Sequence, residues 1–162
     1  MGGFNLIEVM IAVVLLSIGL LGMALLQSTA LRAGQSSNER TTATMLTYQL
    51  LDMVRTNRAQ AASYNLIRAT DFTAAGDGRT GICAPGAAPP TPQWQADRDA
   101  WVCAARRALP EATGSVTVTS AANAVGGATP APARSGQITV RLRWLDNRVT
   151  NSYEEFTVTT GL

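Results

Sequence analysis

The chain begins with an apolar stretch that is too long and too uniform for the core helix of a small soluble domain. The stretch runs from Phe4 to Leu26 and contains 23 residues. As a helix it would measure about 34 Å, enough to cross a hydrocarbon core of about 30 Å. A signal peptide fits poorly, because its shorter apolar region follows basic residues and precedes a cleavage site of small residues. The sequence therefore predicts a single membrane-spanning segment.

Glu8 is the only ionisable side chain between Phe4 and Leu31. A carboxylate at the middle of a membrane costs roughly 2.5–3.5 kcal/mol, and less near an end of the span. Two interpretations are open. The side chain either reaches the cytoplasmic face of the membrane, or it pairs with a charge on a neighbouring subunit within an assembly of apolar helices.

The residues around Glu8 resemble the processing site of the type IV pilins. Residues 3–8 read Gly-Phe-Asn-Leu-Ile-Glu and are followed by about twenty apolar residues. Two further stretches, Leu16–Gly22 and Asp52–Arg58, are similar to PilV-type minor pilins. The resemblance covers about residues 3–65.

The pilin resemblance implies a role for three residues. A membrane peptidase would cut between Gly3 and Phe4 and methylate Phe4, and Glu8 would meet the N-terminal amine of a neighbouring subunit. The sequence departs from the family pattern in one respect, because no Lys or Arg precedes Gly3.

The same resemblance implies three parts of the chain. Residues 1–3 would be the leader, residues 4–27 the transmembrane and filament-core half of a long helix, and residues 28–162 a periplasmic head domain. The implied location is the bacterial inner membrane, with a single pass, and then the pilus tip.

Two cysteines, Cys83 and Cys103, lie outside any CxxC pattern. The residues alone leave open a disulfide or two buried thiols, because the redox compartment decides between them. The implied periplasmic location favours a disulfide, which would stabilise the fold by about 3 kcal/mol on a chain-entropy model.

Apolar residues beyond the span follow a helical period. Residues Ala43, Leu46, Leu50 and Val54 share one helix face, which predicts an amphipathic helix that continues to about Tyr64. Within the span, Gly19 and Gly22 leave open close helix packing or local unwinding.

Glycine and proline indicate a loop over residues 66–96, and a helix is predicted at Asp97–Leu109 with Asp97 as its N-cap. Trp101, Ala105 and Leu109 would face inward. Trp94 and Trp101 suit core packing better than stacking on a sugar.

The C-terminal part alternates apolar and polar residues in three stretches, as β-strands do. The expected inward positions are Val116, Val118, Ile138, Val140, Leu142, Trp144, Phe156 and Val158. Residues 146–148 would form a turn, and Ser120–Gly136 a long exposed connection. The expected register places Leu142 opposite Phe156.

The same register places Arg143 opposite Glu155 on the exposed face. The predicted fold is α+β: the type IV pilin fold, a long N-terminal helix packed on a small antiparallel meander with a disulfide-tied loop.

The absence of histidine and lysine excludes several chemistries. Triads that need histidine, histidine-containing zinc sites and lysine Schiff bases cannot be built from this chain. We therefore expect no enzyme, no cofactor and no metal site. The net charge of +2 is too small to imply nucleic acid.

The function expected first is that of a minor pilin, a structural and priming subunit of a type IV pilus. Its partners would be other minor pilins, the major pilin, the prepilin peptidase and a large tip adhesin. A minor pseudopilin of a type II secretion system shares the N-terminal motif and is the first alternative. Binding of DNA or a surface glycan is the second, through arginines at positions Arg55, Arg58, Arg68, Arg106 and Arg107.

Overall fold

The computed structural model describes residues 5–79, 81–84, 86, 92–120, 136–147 and 150–162. Its helices are α1 at Leu6–Thr56, a 3-10 helix at Arg58–Leu66, α2 at Ala69–Ala74, a 3-10 turn at Gly81–Cys83 and α3 at Gln93–Ala108. Its strands are β1 at Thr113–Ser120, β2 at Gly136–Asn147 and β3 at Ser152–Gly161. The fold is α+β, and the chain divides into two compact units, Met1–Asn38 and Glu39–Leu162.

The three strands form one antiparallel sheet in the order β1-β2-β3. The predicted register is confirmed, since Leu142 lies opposite Phe156 and Arg143 opposite Glu155. The Arg143 guanidinium makes a cation–π contact instead and lies 4.2 Å from the centre of the Tyr153 ring. In the part of the chain that the structure describes, no ion pair joins Arg143 to Glu155.

The sheet is buried on one face only, as its alternating pattern predicts. In β2 the residues Ile138, Val140, Leu142 and Trp144 are buried. On β3 the corresponding residues Phe156 and Val158 are only partly buried. The burial of inward-facing side chains therefore decreases from β2 to β3.

The second half of α1 buries the predicted apolar stripe, which consists of Ala43, Leu46, Leu50 and Val54. Thr47 lies on the same helix face, three residues before Leu50, and is buried with the stripe. Its hydroxyl donates to the Ala43 carbonyl at 2.9 Å, so the buried polar group has a partner. These residues belong to the same core cluster as the inward face of the sheet.

The helix ends at Thr56, so the predicted extension to Tyr64 is wrong. Asn57 has a non-helical backbone, with φ −109° and ψ 45°. Its side-chain amide donates to the Gln60 side chain at 3.5 Å and to the Tyr64 hydroxyl at 3.3 Å. These contacts lie at the junction where the α-helix is replaced by a 3-10 helix.

The predicted loop over residues 66–96 contains helix α2, which the sequence does not reveal. The Asp71 carboxylate accepts the Arg68 backbone N–H at 2.8 Å and so caps the first turn. Phe72 is buried and packs edge-on against Trp101, with ring centres 5.4 Å apart. Six residues are too few to show a helical period in the sequence. The position of this helix is set by the packing of one buried aromatic side chain, Phe72.

Helix α3 begins at Gln93, four residues before the predicted start, and Asp97 is not its N-cap. Asp97 is buried inside the helix, where its carboxylate accepts hydrogen bonds from the Tyr64 hydroxyl and from the Gln93 side chain. The other part of the prediction is confirmed, because Trp101, Ala105 and Leu109 are all buried. Residues 121–135 of the predicted strand connection and Arg148 of the predicted turn lie outside the described residues.

Candidate functional site

The first half of α1 presents an exposed apolar surface that no other described part of the chain covers. Every large apolar side chain from Leu6 to Leu31 is between 51% and 76% exposed. The helix is long and apolar enough to span a membrane, judged by length and composition. We call Leu6–Leu31 the apolar segment.

Glu8 lies in the first turn of α1, and its backbone N–H donates to the Asn5 carbonyl at 2.9 Å. A carboxylate at this end of a helix interacts favourably with the helix dipole. Glu8 shares one helix face with Val9, Ala12 and Val13, so its charge sits on an otherwise apolar strip.

No cation within the apolar segment can neutralise Glu8. The first arginine of the sequence is Arg32, 24 positions further along the same helix. At the rise of an α-helix that separation is roughly 36 Å, far beyond the reach of an ion pair. A counter-charge for Glu8 therefore has to come from outside the segment.

Two hydroxyl groups of the apolar segment, in contrast, donate hydrogen bonds within the helix. Ser17 donates to the Val13 carbonyl at 2.7 Å, and Thr29 donates to the Leu25 carbonyl at 3.0 Å. Glu8 is the ionisable side chain of this segment, and its charge distinguishes the segment from an inert anchor.

Gly19 and Gly22 lie in unbroken helix. A β-carbon placed on either residue would meet no atom within 4 Å. Contacts within the chain therefore do not require glycine at these two positions. The predicted processing site, Gly3 and Phe4, lies outside the described residues.

Cys83 and Cys103 form a disulfide, with their Cα atoms 5.4 Å apart. The bond joins the 3-10 turn at Gly81–Cys83 to helix α3. Both cysteines are buried, so the disulfide is part of the core.

Two arginines of α3 also bind the loop that precedes Cys83, through hydrogen bonds to its backbone carbonyls. Arg106 donates to the Gly76 carbonyl at 2.6 Å. Arg107 donates to the carbonyls of Gly78 and Cys83, each at 2.6 Å. The guanidinium groups replace solvent as donors to backbone carbonyls that the loop leaves without helical partners.

These contacts weaken the hypothesis of a basic binding patch. Arg106 and Arg107 are engaged with the loop, and Arg55 pairs with Asp52 at 3.2 Å. Arg58 and Arg68 are exposed.

Trp94 and Trp101 do not form an exposed stacking pair. Trp101 is fully buried and its indole N–H donates to the Leu46 carbonyl at 3.0 Å. Trp94 is buried too, and the Arg98 guanidinium lies 5.7 Å from the centre of its ring.

Sequence reasoning missed a buried polar cluster between the 3-10 helix and α3. Burial and the hydrogen bond to Asp97 raise the pKa of Tyr64 above its ordinary value. The Tyr64 hydroxyl, which also accepts from Asn57, links two elements 33 residues apart in sequence. No local signal reveals this pairing, because Tyr64 and Asp97 each resemble an ordinary surface residue in sequence.

Comparison of the chain with protein-family models, with curated proteins and with solved structures returned no match.

Proposed function

We propose that this protein is a minor pilin, a non-enzymatic subunit that is assembled into a type IV pilus through the apolar segment. The observation that carries the proposal is a single carboxylate, Glu8, in an exposed apolar segment that contains no cation of its own. In a plain membrane anchor such a charge is unfavourable, by roughly 2.5–3.5 kcal/mol at mid-membrane and by less near an end of the span.

The partner of Glu8 in this proposal is the N-terminal amine of Phe4 in a neighbouring subunit. Cleavage between Gly3 and Phe4 creates that amine at the end of the apolar segment. Because both groups leave water when apolar helices bundle, each needs the other. Breaking a buried pair of this kind typically costs about 3–5 kcal/mol.

The remaining parts of the proposal follow from this assembly step. The partners are other minor pilins, the major pilin and a large tip adhesin, and the prepilin peptidase processes the chain. The Glu39–Leu162 unit is placed in the periplasm, an oxidising compartment that suits the Cys83–Cys103 disulfide.

The main experiment replaces Glu8 and follows assembly separately from insertion. Glu8→Leu and Glu8→Gln, expressed in a deletion strain, should reach the membrane at normal or higher levels, because a charge is removed from the span. Recovery of partner pilins should fall several hundredfold, which corresponds to about 3–5 kcal/mol for the lost pair.

Ser17→Ala is the matched control in the same helix. It also removes a polar group, but that hydroxyl is already bonded to the Val13 carbonyl. Partner recovery should therefore be unchanged. Normal recovery of partners with Glu8→Leu would refute the proposal.

Processing is tested by the intact mass of the membrane-extracted protein. In cells with an active prepilin peptidase, the mature chain should begin at an N-methylated Phe4. A mature chain that still carries Met1 would contradict the assignment.

A further inference from the structure

The two edges of the sheet differ in how their backbone groups are used. At the β1 edge, the outward N–H of Val116 donates to the Ile67 carbonyl at 3.1 Å. The outward N–H of Val118 donates to the Asn65 side chain at 3.3 Å. Residues at the end of the 3-10 helix therefore cover this edge.

At the β3 edge, none of the residues that the structure describes forms such a cover. The Leu162 N–H donates to the Gly136 carbonyl at 2.8 Å, which makes these two residues a hydrogen-bonded pair in the register of β2 and β3. Hydrogen-bonded pairs alternate along an antiparallel ladder, so the odd-numbered residues of β3 point their backbone groups away from β2.

Three of these outward residues, Glu155, Thr157 and Thr159, lie in the middle of β3. Among the residues that the structure describes, none accepts a hydrogen bond from their backbone N–H groups.

The second half of the β3 edge lacks the features that usually block strand addition, whereas the first half carries Glu154 and Glu155. Proteins protect open edges with proline, lysine, bulges or a covering element. The stretch from Phe156 to Gly161 contains no proline and no charge. The irregularity in the β2–β3 pairing lies between Leu145 and Asn147, at the other end of the ladder.

The inward face of β3 is incompletely covered. Phe156, Val158 and Leu162 pack against the core but stay partly exposed, whereas Val140 and Leu142 on β2 are fully buried. Another strand beside β3 would place its own inward side chains against this apolar row and extend the core by one strand.

We propose that the outer edge of β3 binds an extended strand of a partner protein, with alternating apolar and polar residues and a basic residue opposite Glu155. Only an extended backbone matches the alternating donors and acceptors of an open edge. The proposal goes beyond the pilin function and does not depend on it, since it uses the Glu39–Leu162 unit alone.

The basic residue follows from the charges near the edge. Glu154 is already paired with Arg40 at 2.9 Å. Glu155 accepts a hydrogen bond from the Thr157 hydroxyl at 3.2 Å and lies exposed on the outer face. Arg143, which is opposite Glu155, is held over the Tyr153 ring. An added cation would give Glu155 a cross-strand partner.

The probe is a synthetic peptide with the sequence of residues 136–143, Gly-Gln-Ile-Thr-Val-Arg-Leu-Arg. It alternates in the required way, and in the register that β2 uses it carries an arginine opposite Glu155. The full-length ¹⁵N-labelled chain in detergent micelles is titrated with the peptide, and amide hydrogen exchange is followed by NMR.

We expect exchange to slow at least tenfold at Glu155, Thr157 and Thr159. The amides of Phe156 and Val158, which already face β2, should change little. A peptide in which both arginines are replaced by glutamate should bind at least tenfold more weakly.

Thr157→Pro and Thr157→Val form the matched pair of variants. Both lose the hydroxyl that contacts Glu155. Only proline also removes the outward N–H and obstructs the edge, and the N–H it removes is not used in the pairing with β2. Addition of the peptide should slow amide exchange at the outer edge of β3 in Thr157→Val but not in Thr157→Pro. The amides that pair β1 with β2 should stay protected from exchange in both variants.

Three results would overturn the proposal. The first is unchanged exchange at the outward amides with millimolar peptide. The second is equal protection by a scrambled peptide of the same composition. The third is protection that rises with protein concentration in the absence of peptide, which would assign the edge to a second copy of this chain.

Discussion

Helix α1 contains two stretches with the same backbone and opposite surroundings. In the apolar segment the large side chains are more than half exposed, whereas Leu50 and Val54 in the second half are fully buried. The second stretch finds its apolar partners within the chain, in α3 and the sheet. The first has none among the described residues of the chain, so the same helical structure is stabilised differently in the two stretches.

The largest expected effect comes from truncating leucine in the two stretches. Leu50→Ala should lower the free energy of unfolding by about 2–5 kcal/mol, because it leaves a cavity in a packed core. Leu15→Ala removes an exposed side chain and should leave this value unchanged.

Tryptophan fluorescence in a denaturant titration measures this difference. All three tryptophans of the chain, Trp94, Trp101 and Trp144, lie in the Glu39–Leu162 unit, so the signal reports that unit alone. An equal loss of stability in both variants would show that the two stretches share one folding unit.

The disulfide should have the next largest effect. The double substitution Cys83→Ser and Cys103→Ser should destabilise the Glu39–Leu162 unit by about 3 kcal/mol on a chain-entropy model. Insertion of the apolar segment should be unaffected. Alkylation without reductant should label neither cysteine of the parent protein, and complete labelling of both would reject the bond.

Glycine-to-alanine substitutions compare a closely packed backbone site with one that has open space beside it. A β-carbon on Gly114 would lie 2.8 Å from the Arg141 carbonyl oxygen and 2.9 Å from the Trp101 ring. Gly114→Ala should therefore cost about 1–3 kcal/mol through overpacking.

Gly22→Ala is the control, since its β-carbon would meet nothing within the chain. The unfolding midpoint seen by tryptophan fluorescence should not move. If Gly22→Ala reduced partner recovery without changing that midpoint, the space beside Gly22 would belong to a neighbouring subunit. A stable Gly114→Ala variant would show that the strand can shift away from Trp101.

The smallest effect is confined to alkaline pH. Because the pKa of Tyr64 is raised, the folded protein keeps the hydroxyl proton at pH values where the unfolded chain loses it. The contribution of Tyr64 to stability should be constant below the ordinary tyrosine pKa of about 10 and should fall as the pH rises above it. The chain contains no lysine, so few other groups titrate in this range.

Denaturant midpoints between pH 8 and pH 11 test this dependence. Tyr64→Phe should flatten the alkaline decline, whereas Tyr48→Phe, which changes a half-exposed ring, should not. Tyr153, whose pKa is raised by its hydrogen bond to Glu111, is exposed and should contribute little. An unchanged decline in Tyr64→Phe would contradict the assigned role.

The sequence by itself determined the features that repeat along the chain. The apolar segment, the stripe that ends at Val54, the inward face of α3 and the register that pairs Leu142 with Phe156 all follow from spacing between near neighbours. The candidate residue Glu8 was identified for the same reason, as a charge that interrupts a uniform run.

Tertiary structure alone decided where isolated polar groups find their partners. Asp97 accepts a hydrogen bond from Tyr64 instead of capping a helix, and Arg107 donates to the carbonyl of Cys83 instead of joining a basic patch. The same holds for the edges of the sheet, since only the fold brings Asn65 to β1 and, within the described part of the chain, leaves the outer side of β3 without a neighbouring strand. A polar group is satisfied by whichever partner the packed chain brings near, and sequence spacing carries no record of contacts between residues far apart.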